Sequence, residues 1–204
     1  MSPIETNLYL DQMDLRRYCP QDSEPIGDAA LSESVEDKIC LDDCPLLSLR
    51  QRHAFRLVLE AGKHLPSNPP ITVPQPVEPE LISLNDPDEN ALVLVTANNS
   101  LTLDVLTIVW SQGITPAYFV LIDCLGNTVD MAMVFGEFKP ERLAEALEKS
   151  NLDGRLVHRN IIVPGLTATL AEDFKKATGW DVEVGPVCAA ELPLFLGDRW
   201  FFLD

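Results

Sequence analysis

From about residue 90 the chain alternates between short, nearly continuous apolar runs and longer segments whose apolar residues recur at helical spacing. "ALVLVT" (91–96), "AYFVLID" (117–123), "RNIIVPG" (159–165) and "WDVEVGP" (180–186) read as buried strands, because a strand covered by helices on both faces has no polar side to alternate with. Helices are expected at 100–112, 128–135, 139–150 and 167–178, with a short one near 188–197. Pro140 at a helix start and Gly113, Gly179 and Gly197 at helix ends are the matching punctuation. Strands alternating with crossover helices predict an α/β fold over residues 89–204, a doubly wound, right-handed, mostly parallel sheet of about four or five strands.

The pattern before residue 89 is different. "PLLSLRQRHAFRLVLEAGKHL" (45–65) places Leu46, Leu49, His53, Leu57 and Ala61 at helical spacing and carries Gly62 near its end, which predicts an amphipathic helix docked on the domain or on a partner. "PSNPPITVPQPVEPE" (66–80) holds six prolines, each fixing φ and lacking a backbone donor. Residues 66–88 are therefore expected to be a linker. Residues 1–44 carry eleven acids against three bases with little apolar periodicity, the signature of a solvated or partner-docking arm.

Composition narrows the function classes. At 204 residues and 46% hydrophobic the chain can bury one ordinary core. Its formal charge of -17 repels a nucleic-acid backbone or an anionic membrane surface, so neither is an expected partner. "MSPIETNLYLDQMDLRRYCP" has no apolar signal core, and no stretch approaches ~18 uninterrupted apolar residues, so the expected compartment is the cytoplasm. The five cysteines are odd in number and scattered, as in a reducing environment.

Open sheets of the Rossmann or flavodoxin type bind ligands outside the carboxyl ends of their strands. The segments that follow the strands read "TANNSLT" (96–102), "DCLGNTVDM" (123–131), "PGLTATL" (164–170) and "GPVCAAEL" (185–192). They are small and hydroxyl-rich with almost no charge, which suits a large hydrogen-bonding ligand better than a bare phosphate. Neither G-x-G-x-x-G nor G-x-x-x-x-G-K-[ST] occurs. His53, His64 and His158 lie away from the strand-end segments, so nucleophilic catalysis has no base and no catalytic residue is assigned. Cys40 and Cys44, with Cys19, are the nearest approach to a metal-ligand cluster, spaced loosely in the acidic arm, so ordinary free thiols are the main expectation and an iron–sulfur or zinc site the alternative.

Taken in order, "VTANNSLTLD", "LIDCLGNTVDMAMVFGEF" and "IIVPGLTATLAEDFKKATGWDVEVGPVCAAELPLFL" resemble the C-terminal corrinoid-binding domain of the corrinoid iron–sulfur protein large (gamma) subunit, of the carbon monoxide dehydrogenase/acetyl-CoA synthase family. That pattern runs T-[TA]-N-x-S-L-T, then D-x-x-G-x-[ST]-V into a helix ending G-[KE]-F, then a strand ending P-G, then G-[WY]-x-V-x-V-G-P. The resemblance covers roughly residues 90–204. It implies a cobamide, a cofactor of the vitamin B12 type, held with its nucleotide tail tucked away and no protein histidine on cobalt. This sequence has no D-x-H-x-x-G, the loop by which another class of B12 domains supplies an axial imidazole.

By that resemblance Thr96, Asn98, Ser100, Leu101 and Thr102 would line the corrin from the first strand end. Gly126, Thr128, Val129, Met131 and Ala132 would pass beneath it, with Gly136 and Phe138 closing the turn. Pro164, Gly165, Leu166, Gly185, Pro186, Ala189 and Ala190 would hold the nucleotide side. Met131 takes the position facing the lower side of cobalt, where the family typically has Thr and the related mercury-methylating corrinoid proteins have Cys. A thioether is a soft but weak ligand, so coordination by Met131 is not the expected outcome.

Each of these segments also has an ordinary structural use. Asn and Ser in 96–102 favour a helix cap, Met131 and Met133 can fill core gaps, and Pro164-Gly165 and Gly185-Pro186 are turn dipeptides. Two departures stand out: the large subunit's four-cysteine domain and TIM barrel have no counterpart here, and Glu137 stands where the family often has Lys. Two main functions are thus open, beside a weaker third, a redox or metal protein built on Cys19, Cys40 and Cys44. One is a stand-alone cobamide-binding methyl carrier or corrinoid-delivery module, working with a TIM-barrel methyltransferase or a corrinoid-protein small subunit. The other is a non-catalytic interaction protein whose crevice is filled by its own Phe135 or Met131.

Overall fold

The computed structural model describes residues 48–63 and 74–202. The acidic arm, Leu46 and the three cysteines Cys19, Cys40 and Cys44 lie outside the described residues. Five strands form one sheet in the order β1-β3-β2-β4-β5: β1 (Leu81–Leu84), β2 (Leu92–Ala97), β3 (Ala117–Ile122), β4 (Asn160–Val163) and β5 (Asp181–Val184). The strands β2 to β5 are parallel, and β1 joins the outer edge of β3 antiparallel. From β2 the chain crosses to β3 on one side, then returns past β2 to β4 on the other. The direction of winding therefore reverses between β2 and β4, the topological switch point of a doubly wound sheet.

Alternation along the central strands sends one set of side chains to each face. On the first face Leu94, Phe119 and Ile162 meet α2 (Ser100–Ser111) through Val105, Leu106, Val109 and Trp110. The same cluster takes Ala54, Phe55 and Leu57 of α1 (Leu49–Lys63), Leu192 to Leu196 of α6 (Leu192–Leu196), and Trp200. Trp110 presents its plane edge-on to Phe119 and Trp200 and donates its indole N–H to the Thr115 carbonyl at 3.0 Å. On the second face Val93, Val95, Val120, Ile122, Ile161 and Val163 pack against α3 (Val129–Val134), α4 (Pro140–Ser150) and α5 (Ala171–Thr178) through Val129, Ala132, Leu143, Leu147 and Phe174. Each such side chain contributes roughly 1.5–3 kcal/mol by leaving water.

Three features differ from, or decide between, the sequence expectations. The stretch 66–88, expected to be a linker, contains β1, and Leu81, Ile82 and Leu84 pack as partly buried residues against the cores. "LISL" is too short to announce a strand by itself, and it forms one only because the edge of β3 offers a ladder from Leu81↔Val120 to Leu84↔Ala117. The helix of 45–65 packs on the domain, yet its buried side is Ala54, Phe55 and Leu57, while Leu49 is 59% exposed. His53 is used differently, its ring stacked 3.8 Å from that of Phe202. Finally, the helix expected over 167–178 opens as a tight 3-10 turn, Gly165–Leu170, before α5, because the Thr167 hydroxyl folds back to the Pro164 carbonyl at 2.8 Å.

A candidate ligand crevice at the strand ends

A cavity of about 310 Å³ opens at the carboxyl ends of β2 and β4, bounded mostly by the first face of the sheet and also by Val95, Val129 and Val163 of the second. Its depth is walled by members of that face's core: Leu94, Phe119 and Ile162 from the sheet, Val105 and Leu106 from α2, and Cys188 and Leu192 from the C-terminal segment. The mouth is different in kind. Thr96, Leu101 and Thr102 stand on one side, Thr128, Val129 and Asp130 on a second, and Pro164, Leu166, Gly185, Pro186, Val187 and Ala189 on a third. The hydroxyls of Thr96, Thr102 and Thr128 make no hydrogen bond to another described residue. They are donors and acceptors left to whatever enters the crevice.

The walls are held by local chemistry legible in the residues. Asn99 caps α2, its side-chain oxygen accepting the Thr102 N–H at 3.2 Å while its amide donates to the Gly126 carbonyl at 2.7 Å. Asn98, 2% exposed, accepts the N–H groups of Cys124 and Gly126 and donates to the Val77 carbonyl. Gln75 to Val77 form a strap across both loops: Gln75 N–H donates to the Gly126 carbonyl, Ser100 N–H to the Gln75 carbonyl, and the Ser100 hydroxyl to the Gln75 side-chain oxygen. Gly126 sits at φ +75 with Pro76 so close that an added Cβ would lie 2.4 Å from the proline nitrogen.

The third wall is two turns zipped together. Gly165 N–H donates to the Pro186 carbonyl and Gly185 N–H to the Val163 carbonyl, both at 2.8 Å. A Cβ on Gly165 would stand 2.7 Å from the backbone of Pro186 and Val187, so only glycine lets these loops approach.

Ten of the side chains expected to bind the cofactor thus meet at one cavity: Thr96, Leu101, Thr102, Thr128, Val129, Pro164, Leu166, Gly185, Pro186 and Ala189. The others stand outside its lining. Asn98, Ser100, Gly126 and Gly165 hold the walls as described. Ala132, Phe138 and Ala190 are buried core residues, Phe138 lying edge-on to Phe174. Gly136 is in the exposed turn after α3, and Met131 is a half-buried residue of that helix. Leu94, Val105, Leu106, Phe119, Ile162, Cys188 and Leu192 form the depth without having been singled out in the sequence, because they read as ordinary core. Phe135 is 58% exposed, and neither it nor Met131 fills the crevice.

Electrostatically the crevice is quiet. Asp130, exposed in the first turn of α3, is the charged residue among its lining. Glu137 forms an ion pair with Arg142 at 2.6 Å, and Arg142 also donates to the Asp123 carbonyl, so its charge is balanced locally. Burial pushes the Cys188 thiol up to about 11 and that of Cys124 to about 12, and both are protonated at neutral pH. Among the described residues no three His, Cys, Asp or Glu side chains cluster as metal ligands, and no helix is long and apolar enough to cross a membrane.

Comparison with known proteins gives the chain a family. The family profile described as CO dehydrogenase/acetyl-CoA synthase delta subunit matches residues 46–196. The acetyl-CoA decarbonylase/synthase complex subunit gamma of Methanopyrus kandleri is 37% identical over 123 residues, 60% of this chain and 27% of the relative. The corresponding subunit of Methanothermobacter thermautotrophicus is 29% identical across 89% of the chain and 44% of its own length. The corrinoid/iron-sulfur protein large subunit of Moorella thermoacetica is 34% identical over 60% of the chain and 28% of its own length. The chain thus spans between about a quarter and under a half of the relatives it matches. It belongs to the CO dehydrogenase/acetyl-CoA synthase corrinoid-protein family.

Proposed function

We propose that this chain is a cobamide-binding module that carries a methyl group, or delivers the cofactor, in a methyltransferase system related to acetyl-CoA synthesis. The observation that carries the reading is the open crevice at the switch point, largely apolar and lined by three threonines whose hydroxyls have no partner among the described residues. At about 310 Å³ it is at the lower end of the ~300–1,000 Å³ range of small-molecule sites. It is too small for a whole corrinoid and suited to a nucleotide tail. The depth would take the lower base, and Thr96, Thr102 and Thr128, with the backbone at Pro164 and Gly185, would hydrogen-bond the ribose and phosphate. The corrin ring would then lie over the mouth, beside Leu101, Val129 and Leu166, with Met131 nearby and not coordinating.

When bound, such a cofactor supplies a cobalt centre that can accept and release a methyl group, while the protein supplies position and axial environment. The chain's own contribution would be to hold the tail away from cobalt and to keep histidine out of its lower face. The names of the relatives, one of them a corrinoid/iron-sulfur protein, support the cofactor class. An iron–sulfur cluster is not part of the proposal. The partners we propose are subunits of the relatives' kind of complex, a corrinoid-protein small subunit or a TIM-barrel methyltransferase, met in the cytoplasm.

A second reading, an interaction module without cofactor, draws on the exposure of Val134 and Phe135, 75% and 58%, which an assembly would cover. Titration separates the two. Purified protein mixed with hydroxocobalamin should show a saturable change in the visible corrin spectrum at concentrations on the order of tens of micromolar. A flat titration with protein shown to be folded by circular dichroism would overturn the cofactor reading.

A further inference from the structure

The crevice has two chemically distinct storeys. At its mouth stand hydroxyls and loop backbone; its depth is made of Leu94, Leu106, Phe119, Ile162, Cys188 and Leu192, all members of the buried core and each no more than 8% exposed. Beneath it, β2 is paired with β3 along its length and with β4 at Leu94↔Ile162. Two hydrogen-bonding side chains lie among these buried residues, the weakly donating Cys188 thiol and, two residues beyond Leu94 on β2, the Thr96 hydroxyl.

We infer that the depth of this crevice selects the lower base of a cobamide by polarity, accepting an apolar aromatic ring and rejecting a purine. The inference rests on the cobamide reading given above and adds to it the class of tail. A phenol-type ring buried against Leu106, Phe119 and Ile162 loses little on leaving water, and a benzimidazole leaves a single ring nitrogen to be satisfied. Adenine carries an exocyclic amine and several ring nitrogens, and in this depth they would give up their water hydrogen bonds with at most the Thr96 hydroxyl and a weak thiol in return. A site that leaves buried polar groups unpaired discriminates more strongly than one that differs by a methyl group.

The test compares three corrinoids in their methylcobalt forms by equilibrium binding to the full chain: a p-cresolyl cobamide, an adenyl cobamide and tail-less cobinamide. In the methylcobalt forms neither tail holds cobalt tightly, so the comparison reads the crevice and not the cost of detaching the base. The p-cresolyl cobamide is expected to bind about tenfold or more tighter than the adenyl cobamide, and more tightly than cobinamide. Equal affinity for the two tails, preference for adenine, or cobinamide binding as well as the p-cresolyl form would overturn the inference while leaving cobamide binding intact. Failure of all three to bind would remove the cobamide reading itself, and the inference with it.

Discussion

The side-chain oxygen of Asn98, at the end of β2, accepts a hydrogen bond from the backbone N–H of Cys124, 2.7 Å away and just beyond the end of β3. The same oxygen takes the Gly126 N–H at 3.2 Å, and the Asn98 amide reaches the Val77 carbonyl at 2.9 Å. One buried amide therefore fixes two strand-end loops and the strap over them. Asn98→Ala would leave two buried N–H groups without partners, and the expected loss is about 2–4 kcal/mol in urea unfolding. A loss below about 0.5 kcal/mol would show that these bonds are readily replaced by water.

This residue also marks what the sequence could and could not convey. "TANNSLT" identifies a strand end by its composition, but Asn and Thr are equally able to face a ligand or to tie a loop. The fold makes Thr96 and Thr102 face the crevice and turns Asn98 and Asn99 inward to the loops. The central strands were legible because buried parallel strands have an unmistakable apolar run. Strand β1 was not, since "LISL" between prolines becomes a strand only against the edge of β3. The deep wall was hidden for another reason: a crevice lined by Leu106, Phe119 and Ile162 is a piece of core left unfilled, and composition does not distinguish the two.

Gly165 offers a way to disturb the crevice from its wall. Its Cβ in Gly165→Ala would stand 2.7 Å from the backbone of Pro186 and Val187 and would push the two turns apart. Overpacking of this kind costs about 1–3 kcal/mol, and we expect cobamide affinity to fall by about tenfold or more. Gly179→Ala is the control: at φ +71 with nothing within 4 Å, it should cost about 1 kcal/mol in stability and leave affinity unchanged. Equal affinity losses in the two variants would mean that the effect is general destabilisation.

Cys188 reports on the crevice through its thiol. Burial raises its pKa from an ordinary 9.0 to about 11, so the native state holds a proton that the unfolded chain releases first. The stability advantage of the wild type over Cys188→Ala should be constant below about pH 9 and shrink as the pH rises toward 11. Thermal unfolding across pH 7 to 11 checks the sign, and an advantage that grows with pH contradicts it. In the native protein at pH 8, alkylation followed by peptide mass spectrometry should also find Cys188 slowed further by bound hydroxocobalamin. Cys124, buried on the opposite face, should be unaffected.

Met131 is half-buried on α3 and does not line the crevice. Met131→Ala should leave both hydroxocobalamin affinity and the axial-ligand bands of its spectrum unchanged within about twofold. A clear shift in the bands would assign the thioether to cobalt.

Electron paramagnetic resonance of the Co(II) form distinguishes a cobamide whose tail is held in the crevice from one whose tail stays on its metal. Cob(II)alamin free in neutral solution shows nitrogen superhyperfine splitting from its own benzimidazole. With the protein in excess, this splitting is expected to disappear with no new nitrogen splitting in its place. Retention of the splitting, with binding established independently, would place the tail on cobalt and leave the crevice unexplained.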